Sequence, residues 1–180
     1  FISVKDLLNE VNKDAIRFMM LNRSSDVELD FDFDKVLEKS KENPVFYVQY
    51  SFARISSLLR TLNKNLDEKI ELDINKFKLN DSEYKILRKI FEWPKIIEIA
   101  SLKYEPHRIP YYLYELATLF HAYWSKGNED KRFKFIEDNK IKRDEILAIM
   151  YLVATVIQNG MNILGVSLPE KLSCVVKETE

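Results

Sequence analysis

The sequence predicts an all-α protein, a helical bundle, on three observations. Only three glycines and five prolines stand among 180 residues rich in Leu, Ile, Lys and Glu, types that lose little on entering a helix. Apolar residues recur at spacings of three and four, as in Ile55, Leu58, Leu59 and Leu62. Between these stretches stand residues that start or stop helices, among them Asn43-Pro44, Pro94, Gly127-Asn128 and Gly165. The chain is long enough to bury a sizeable core, as one large or two small domains. Ile55, Leu58, Leu116, Phe120, Leu152, Val156 and Ile157 are the expected core members.

The elements follow in order. Ser3 caps a short helix through Leu8, with Asp6 at the capping-box position. Asp14 opens a second, Ala15 to Leu21. From Asn22 to Asp34 the chain reads as extended or looped. Val27, Leu29, Phe31 and Phe33 alternate with acids there, a period of two that fits a short strand or strand-like arm packed on one side. Lys35 to Lys41 is helical, and Pro44 starts a long helix that runs to about Asn65. Asp67 to Leu79 is a loop. Asp81 or Ser82 caps a helix through Glu92, and Pro94 opens another toward Tyr104. Pro106 to Pro110 is a hinge before the aromatic helix Tyr111 to Trp124, which Gly127-Asn128 ends. Glu129 to Asn139 is loop-like. A last helix runs from about Arg143 to Leu164, stopped by Gly165.

Composition narrows the function. The single cysteine, Cys174, excludes an internal disulfide framework, and with no signal-like start this points to a reducing, cytoplasmic setting. The apolar run Ile146 to Ile157 is too short to span a bilayer. Net charge is −1, so any nucleic-acid partner must be met by segregated charge. Segregation is visible. Asp26, Glu28, Asp30, Asp32 and Asp34 carry no base among them, whereas Lys126 to Arg143 holds seven bases against four acids. Such runs are equally readable as solvated faces.

Catalytic patterns are absent from the sequence. There is no Walker loop, GxGxxG, GxSxG or CxxC. His107 and His121 lie on separate elements and read as structural or capping residues rather than metal ligands. Asp30, Asp32 and Asp34 lack the glycine a calcium loop needs. Neither a cofactor nor a metal is expected in this chain.

Binding chemistry does gather at the start of the long helix. Tyr47 and Tyr50, three residues apart, rise on one face, with Gln49 and Arg54 offering amide and guanidinium donors nearby. Two stackable phenols and a fixed cation suit an unstacked base and its phosphate, while spacing alone favours the same tyrosines as core residues with satisfied hydroxyls. For Arg54 an intramolecular ion pair competes with phosphate contact.

Four stretches carry a resemblance to a known family. They are Phe1-Ile2-Ser3-Val4 with Asp6-Leu7-Leu8; Asp14-Ala15-Ile16-Arg17; Leu29-Asp30-Phe31-Asp32 with Asn43-Pro44-Val45-Phe46-Tyr47-Val48-Gln49-Tyr50 and Ala53-Arg54; and Asn159-Gly160, Leu164-Gly165-Val166 and Pro169-Glu170-Lys171-Leu172. Together they resemble the C-terminal part of bacterial arginyl-tRNA synthetases, class I enzymes. The second matches the Asp-Ala-Leu-Arg signature of their anticodon-binding domain, with Ile for Leu. That signature also occurs in cysteinyl and methionyl relatives; the Asn-Pro-Val-aromatic-Tyr-Val-Gln-Tyr run is more particular to arginyl enzymes.

The resemblance implies an all-α anticodon-binding bundle at 35–180 behind a connector at 1–34 that follows the catalytic core. The parent would be a monomeric, cytoplasmic arginine–tRNA ligase using ATP with Mg and L-arginine to charge tRNA-Arg. This chain would be an inactive fragment of it, with no membrane partner. Tyr47 and Tyr50 match the family tyrosines that meet the anticodon loop. Trp124 lies where relatives place an aromatic beside the central anticodon base, with Tyr123 the neighbouring candidate. Leu172 matches the apolar residue, commonly Met, that closes the base pocket, although the chain continues beyond it. Arg54 and the bases from Lys126 to Arg143 would meet phosphates, and Ser40 to Pro44 would lie under the anticodon backbone. Two rivals are a helical protein-interaction module whose aromatic helix grips a peptide, and the anticodon domain of a cysteinyl or methionyl enzyme.

Overall fold

A computed structural model describes residues 7–8, 11–27, 36–38, 40–71, 73–130 and 133–172. Six helices dominate them: α1 (Lys13–Leu21), α2 (Pro44–Thr61), α3 (Asp81–Phe91), α4 (Trp93–Leu102), α5 (Arg108–Glu129) and α6 (Asp144–Leu164). Between α5 and α6 a small antiparallel hairpin pairs β1 (Ile136–Glu137) with β2 (Lys140–Ile141). The all-α expectation holds. The arm proposed at 27–33, the first helix expected from Ser3, and the domain boundary at Asp34 fall wholly or largely outside the described residues.

Local chemistry explains several helix ends. Asn12 caps α1, its Oδ1 accepting from Asp14 N–H at 2.9 Å. Asn43 caps α2 by accepting from Phe46 N–H at 3.3 Å, while its Nδ2 donates to the carbonyls of Val36 and Glu38. Pro44 takes the first helical position, where no N–H is needed. The helix stops at Thr61, short of the expected Asn65. Asn63 there adopts the left-handed region (φ 54°), letting Lys64 N–H return to the Leu59 carbonyl at 2.8 Å. Asn80, rather than Asp81 or Ser82, caps α3 in a full capping box with Glu83. Gly165 closes α6 at φ 66°, and Val166 N–H reaches the Met161 carbonyl at 2.9 Å.

Three expectations are corrected. The hinge at Pro106 to Pro110 is shorter than expected, because α5 begins at Arg108 and takes Pro110 into its first turn. Gly127 does not stop α5, which runs on to Glu129; a Cβ at Gly127 would sit 2.9 Å from the Phe133 carbonyl oxygen, so glycine serves a close backbone approach. The stretch expected as loop holds the hairpin, whose turn residues Asp138 and Asn139 both have positive φ, as a two-residue type I′ connection requires.

The core lies where α2, α5 and α6 meet, with α3 and α4 closing over α5. Phe18 of α1 is fully buried in this same core, while Leu7, Val11, Ile16 and Val36 form a second, smaller cluster. Ile55, Leu58, Leu116, Phe120, Val156 and Ile157 are buried as expected. Leu152 is not: it is 41% exposed, on the outer face of α6. That helix as a whole, Asp144–Leu164, is long and apolar enough by length and composition to cross a bilayer, although the amides Gln158, Asn159 and Asn162 follow the apolar run seen in the sequence. Most of it is buried against the other helices, the condition of a core helix.

Candidate nucleic-acid interface

Helices α2 and α5 pack side by side, and their facing residues build one polar-aromatic cluster. Tyr47, Tyr50, Ser51 and Arg54 come from α2; Tyr114, His121 and Trp124 come from α5. His121 is the hub. Arg54 Nη1 donates to His121 Nδ1 at 3.2 Å, and since a guanidinium only donates, Nδ1 must be unprotonated. The ring proton therefore sits on Nε2, which lies 2.9 Å from Ser51 Oγ and 3.2 Å from the Tyr47 carbonyl. Ser51 Oγ in turn donates to that carbonyl at 3.2 Å.

Burial pushes the His121 pKa down to about 4; the Arg54 charge adds to this and the hydrogen bond to the Tyr47 carbonyl opposes it. The sign follows from linkage. An unfolded histidine titrates near 6.5, so below that value the unfolded chain takes up a proton that the folded chain refuses. This contribution to stability is therefore full above pH 6.5 and declines as pH falls toward 4, amounting to about 3 kcal/mol across the window. In urea titrations between pH 7 and 4.5, His121→Gln should show a shallower loss of stability than the parent sequence. Equal slopes would contradict the neutral assignment.

Arg54 lies between aromatic rings as well as against the imidazole. The guanidinium carbon lies 4.2 Å from the Tyr50 ring centroid and 5.3 Å from that of Trp124, a cation held between two aromatic faces. Among the described residues no carboxylate forms an ion pair with it. Tyr50 also stacks on His121 at 5.4 Å and on Phe46 at 5.8 Å. Tyr47 is more enclosed, its ring 4.3 Å from His121 and 5.4 Å from Tyr114, and burial raises its phenol pKa.

Beside Arg54 and Trp124 opens a groove of about 360 Å³. Its floor is α2 (Ser57, Leu58, Thr61) and α5 (Gly127, Asn128), and its outer wall is Lys134, Phe135 and Ile136 at the hairpin. Apolar walls with amide, hydroxyl and ammonium groups at the edges can take a flat heterocycle and test its hydrogen-bonding edge.

The structure brings Tyr47, Tyr50, Arg54 and Trp124 into one cluster. It buries Tyr123, which is 2% exposed and donates its hydroxyl to Glu83 at 2.6 Å. Gln49 is also committed elsewhere, donating to the Ser167 carbonyl at 2.9 Å. Leu172 is partly buried and does not line the groove; it follows Glu170, whose carbonyl accepts from Arg60 at 3.2 Å. Of the basic run, Lys134 lines the groove, whereas Arg143 is bound to Glu83 and Lys142 pairs with Glu137 at 3.6 Å. Phe135, Asn128 and Thr61 were not legible as site residues. The turn pair Asp138-Asn139 was the one signal that could have revealed the hairpin behind the wall.

An aromatic-clamped cation at the mouth of an apolar groove, on a helical scaffold, has the chemistry to stack a flat ring and meet an anion beside it. The comparisons narrow the class. A model of the DALR anticodon binding domain matches residues 48–172, and the chain belongs to that family. An arginine–tRNA ligase of Pelagibacter ubique is 54% identical over 172 residues, covering 96% of this chain and 30% of that protein. One from Ruegeria pomeroyi is 44% identical over 177 residues with the same coverage. A solved Campylobacter jejuni structure assigned to the arginyl tRNA synthetases superposes with a TM-score of 0.80 at 25% identity, covering 96% of this chain and 36% of that one. The chain thus spans about a third of the length of these relatives.

Proposed function

We propose that this chain reads the anticodon of tRNA-Arg for an arginine–tRNA ligase, of which it forms the anticodon-binding part. The observation that carries the reading is Arg54 held over Tyr50 and Trp124 at the groove mouth, with no carboxylate partner among the described residues. An anticodon base splayed from the loop stacks on the exposed aromatic edge, and its phosphate meets the guanidinium. Tyr47 and the backbone at Ser40 to Pro44 support the loop. Lys134 supplies a second cation at the wall. Stacking alone is nearly blind to base identity, so discrimination falls to hydrogen bonds from groove-edge groups, where a wrong base leaves a buried group unpaired. Leu172 would close over the bound loop from the segment after α6, which Arg60 of α2 ties down through the Glu170 carbonyl.

On this reading the residues at 1–34 connect to the catalytic core, and 35–180 form the reading domain. The chain's own residues bind and orient tRNA; activation of L-arginine with ATP and Mg belongs to the rest of a monomeric, cytoplasmic ligase with no membrane partner. The test is aminoacylation by the full-length protein. It should attach arginine to tRNA-Arg and lose efficiency when the tRNA anticodon is exchanged for another. Charging with a different amino acid, or indifference to the anticodon, would overturn the proposal.

A further inference from the structure

The outer wall of the groove rests on an unusually slight support. Lys134, Phe135 and Ile136 lead into a hairpin with two residues in each strand, a ladder too short to hold its own position. Its placement must come from contacts to the bundle, and two of these converge on one buried carboxylate. Glu83, in the first turn of α3, is fully buried and accepts four hydrogen bonds. They come from Asn80 N–H at 2.8 Å, the Tyr123 hydroxyl at 2.6 Å, and Arg143 Nη1 and Nη2 at 3.0 and 2.9 Å.

A capping box needs only Asn80 and Glu83. The other two donors lead to the groove wall. The Tyr123 ring packs on Phe135 with centroids 4.6 Å apart, and Phe135 meets Trp124 edge to face at 5.3 Å. Arg143 follows Lys142, whose N–H donates to the Phe135 carbonyl at 3.0 Å, and Arg143 Nη2 also donates to the Lys78 carbonyl at 2.7 Å. The carboxylate thus grips both the ring behind the wall and the backbone that leaves it. Desolvation offsets much of the attraction in a buried ion pair, so such a network is a weak source of stability and its value here is geometric.

We propose that Glu83, together with Tyr123 and Arg143, is a positioning residue for anticodon recognition, fixing Trp124 and the groove wall through Phe135. The inference rests on the function proposed above. Neither Glu83 nor Tyr123 touches RNA; both act on the surface that does.

The test is a double-mutant cycle in the full-length protein, with initial rates of tRNA charging measured where thermal melts show every variant folded. Tyr123→Phe removes one hydroxyl and keeps the ring; Glu83→Gln keeps the shape and removes the charge; Trp124→Ala removes the target. Tyr123→Phe and Glu83→Gln should each lower kcat/KM for tRNA by about 3- to 30-fold, through KM for tRNA, with KM for arginine and ATP unchanged. Combined with Trp124→Ala they should cost little more than Trp124→Ala alone, because both act through the same ring. Wild-type kinetics for both, or losses that multiply with that of Trp124→Ala, would overturn the inference and leave the anticodon reading standing. If Trp124→Ala itself has no effect, reading and inference fall together. Should Glu83→Gln not fold, Tyr123→Phe carries the test, since it deletes a single oxygen.

Discussion

Trp124→Ala in the full-length protein is expected to reduce kcat/KM for tRNA by about 5- to 150-fold, the loss of one base stack of roughly 1–3 kcal/mol. The effect should appear chiefly in KM, with a fall in kcat only to the extent that anticodon docking orients the acceptor end. Tyr50→Ala should act similarly, because Tyr50 forms the other face of the Arg54 clamp. Tyr47→Ala should act less through tRNA and more through packing, since its ring is already covered by Tyr114 and His121. Arg54→Ala has its own signature. Losing one phosphate contact lowers the salt dependence of tRNA binding by about one unit of slope while leaving base preference alone. Trp124→Phe separates stacking from cavity formation, as it keeps a ring in the same place. Normal charging by folded Trp124→Ala and Tyr50→Ala variants would show that this cluster does not meet the anticodon.

Phe120→Ala is expected to destabilise the fold by about 3–5 kcal/mol, the range for a large aromatic removed from a close-packed core. Phe120 is fully buried on α5 and touches both His121 and Trp124, with ring centroids 5.8 and 5.9 Å away. The cavity would open directly behind the site, so the variant should weaken tRNA binding as well as lower the melting temperature. Gly160→Val tests the opposite fault. Even a Cβ there would lie 2.7 Å from Leu113 Cδ2, and Leu113 is itself fully buried and has no space to yield. Overpacking of that kind typically costs about 1–3 kcal/mol. Differential scanning calorimetry reads both; a melting temperature unchanged in either variant would contradict the packing between α5 and α6.

What was legible in the sequence follows from how far each signal reaches. Asn43-Pro44 and Gly165 announce their helix ends because capping is settled by one side chain and a few neighbouring N–H or C=O groups. Asn80 does not stand out in the sequence because its neighbours Asp81 and Ser82 are equally good caps, and only the reciprocal bond from Glu83 decides among them. Gly127 misled because a helical glycine near a charged stretch looks like a stop, whereas its role comes from Phe133 approaching across a turn. The same limit governs the site. Tyr50 and Arg54 lie four residues apart on one helix, so their pairing is visible from spacing alone. Tyr123 and Trp124 are adjacent, and consecutive helix positions point about 100° apart. Which of them faces the core depends on Glu83 and Phe135, partners from other elements. Gln49 offered an amide in the right neighbourhood, but the segment after α6 occupies it. The hairpin wall was invisible for a similar reason: its strands are too short to show a period of two.

The most direct test of the central claim pairs Trp124→Ala with tRNA-Arg transcripts carrying an abasic site at each anticodon position in turn. Binding of the full-length protein is measured for all combinations at fixed ionic strength. If Trp124 stacks on an anticodon base, one abasic position should weaken binding to the parent protein and leave the Trp124→Ala protein almost unaffected, because ring and base lose the same contact. Losses that add at every position would contradict it.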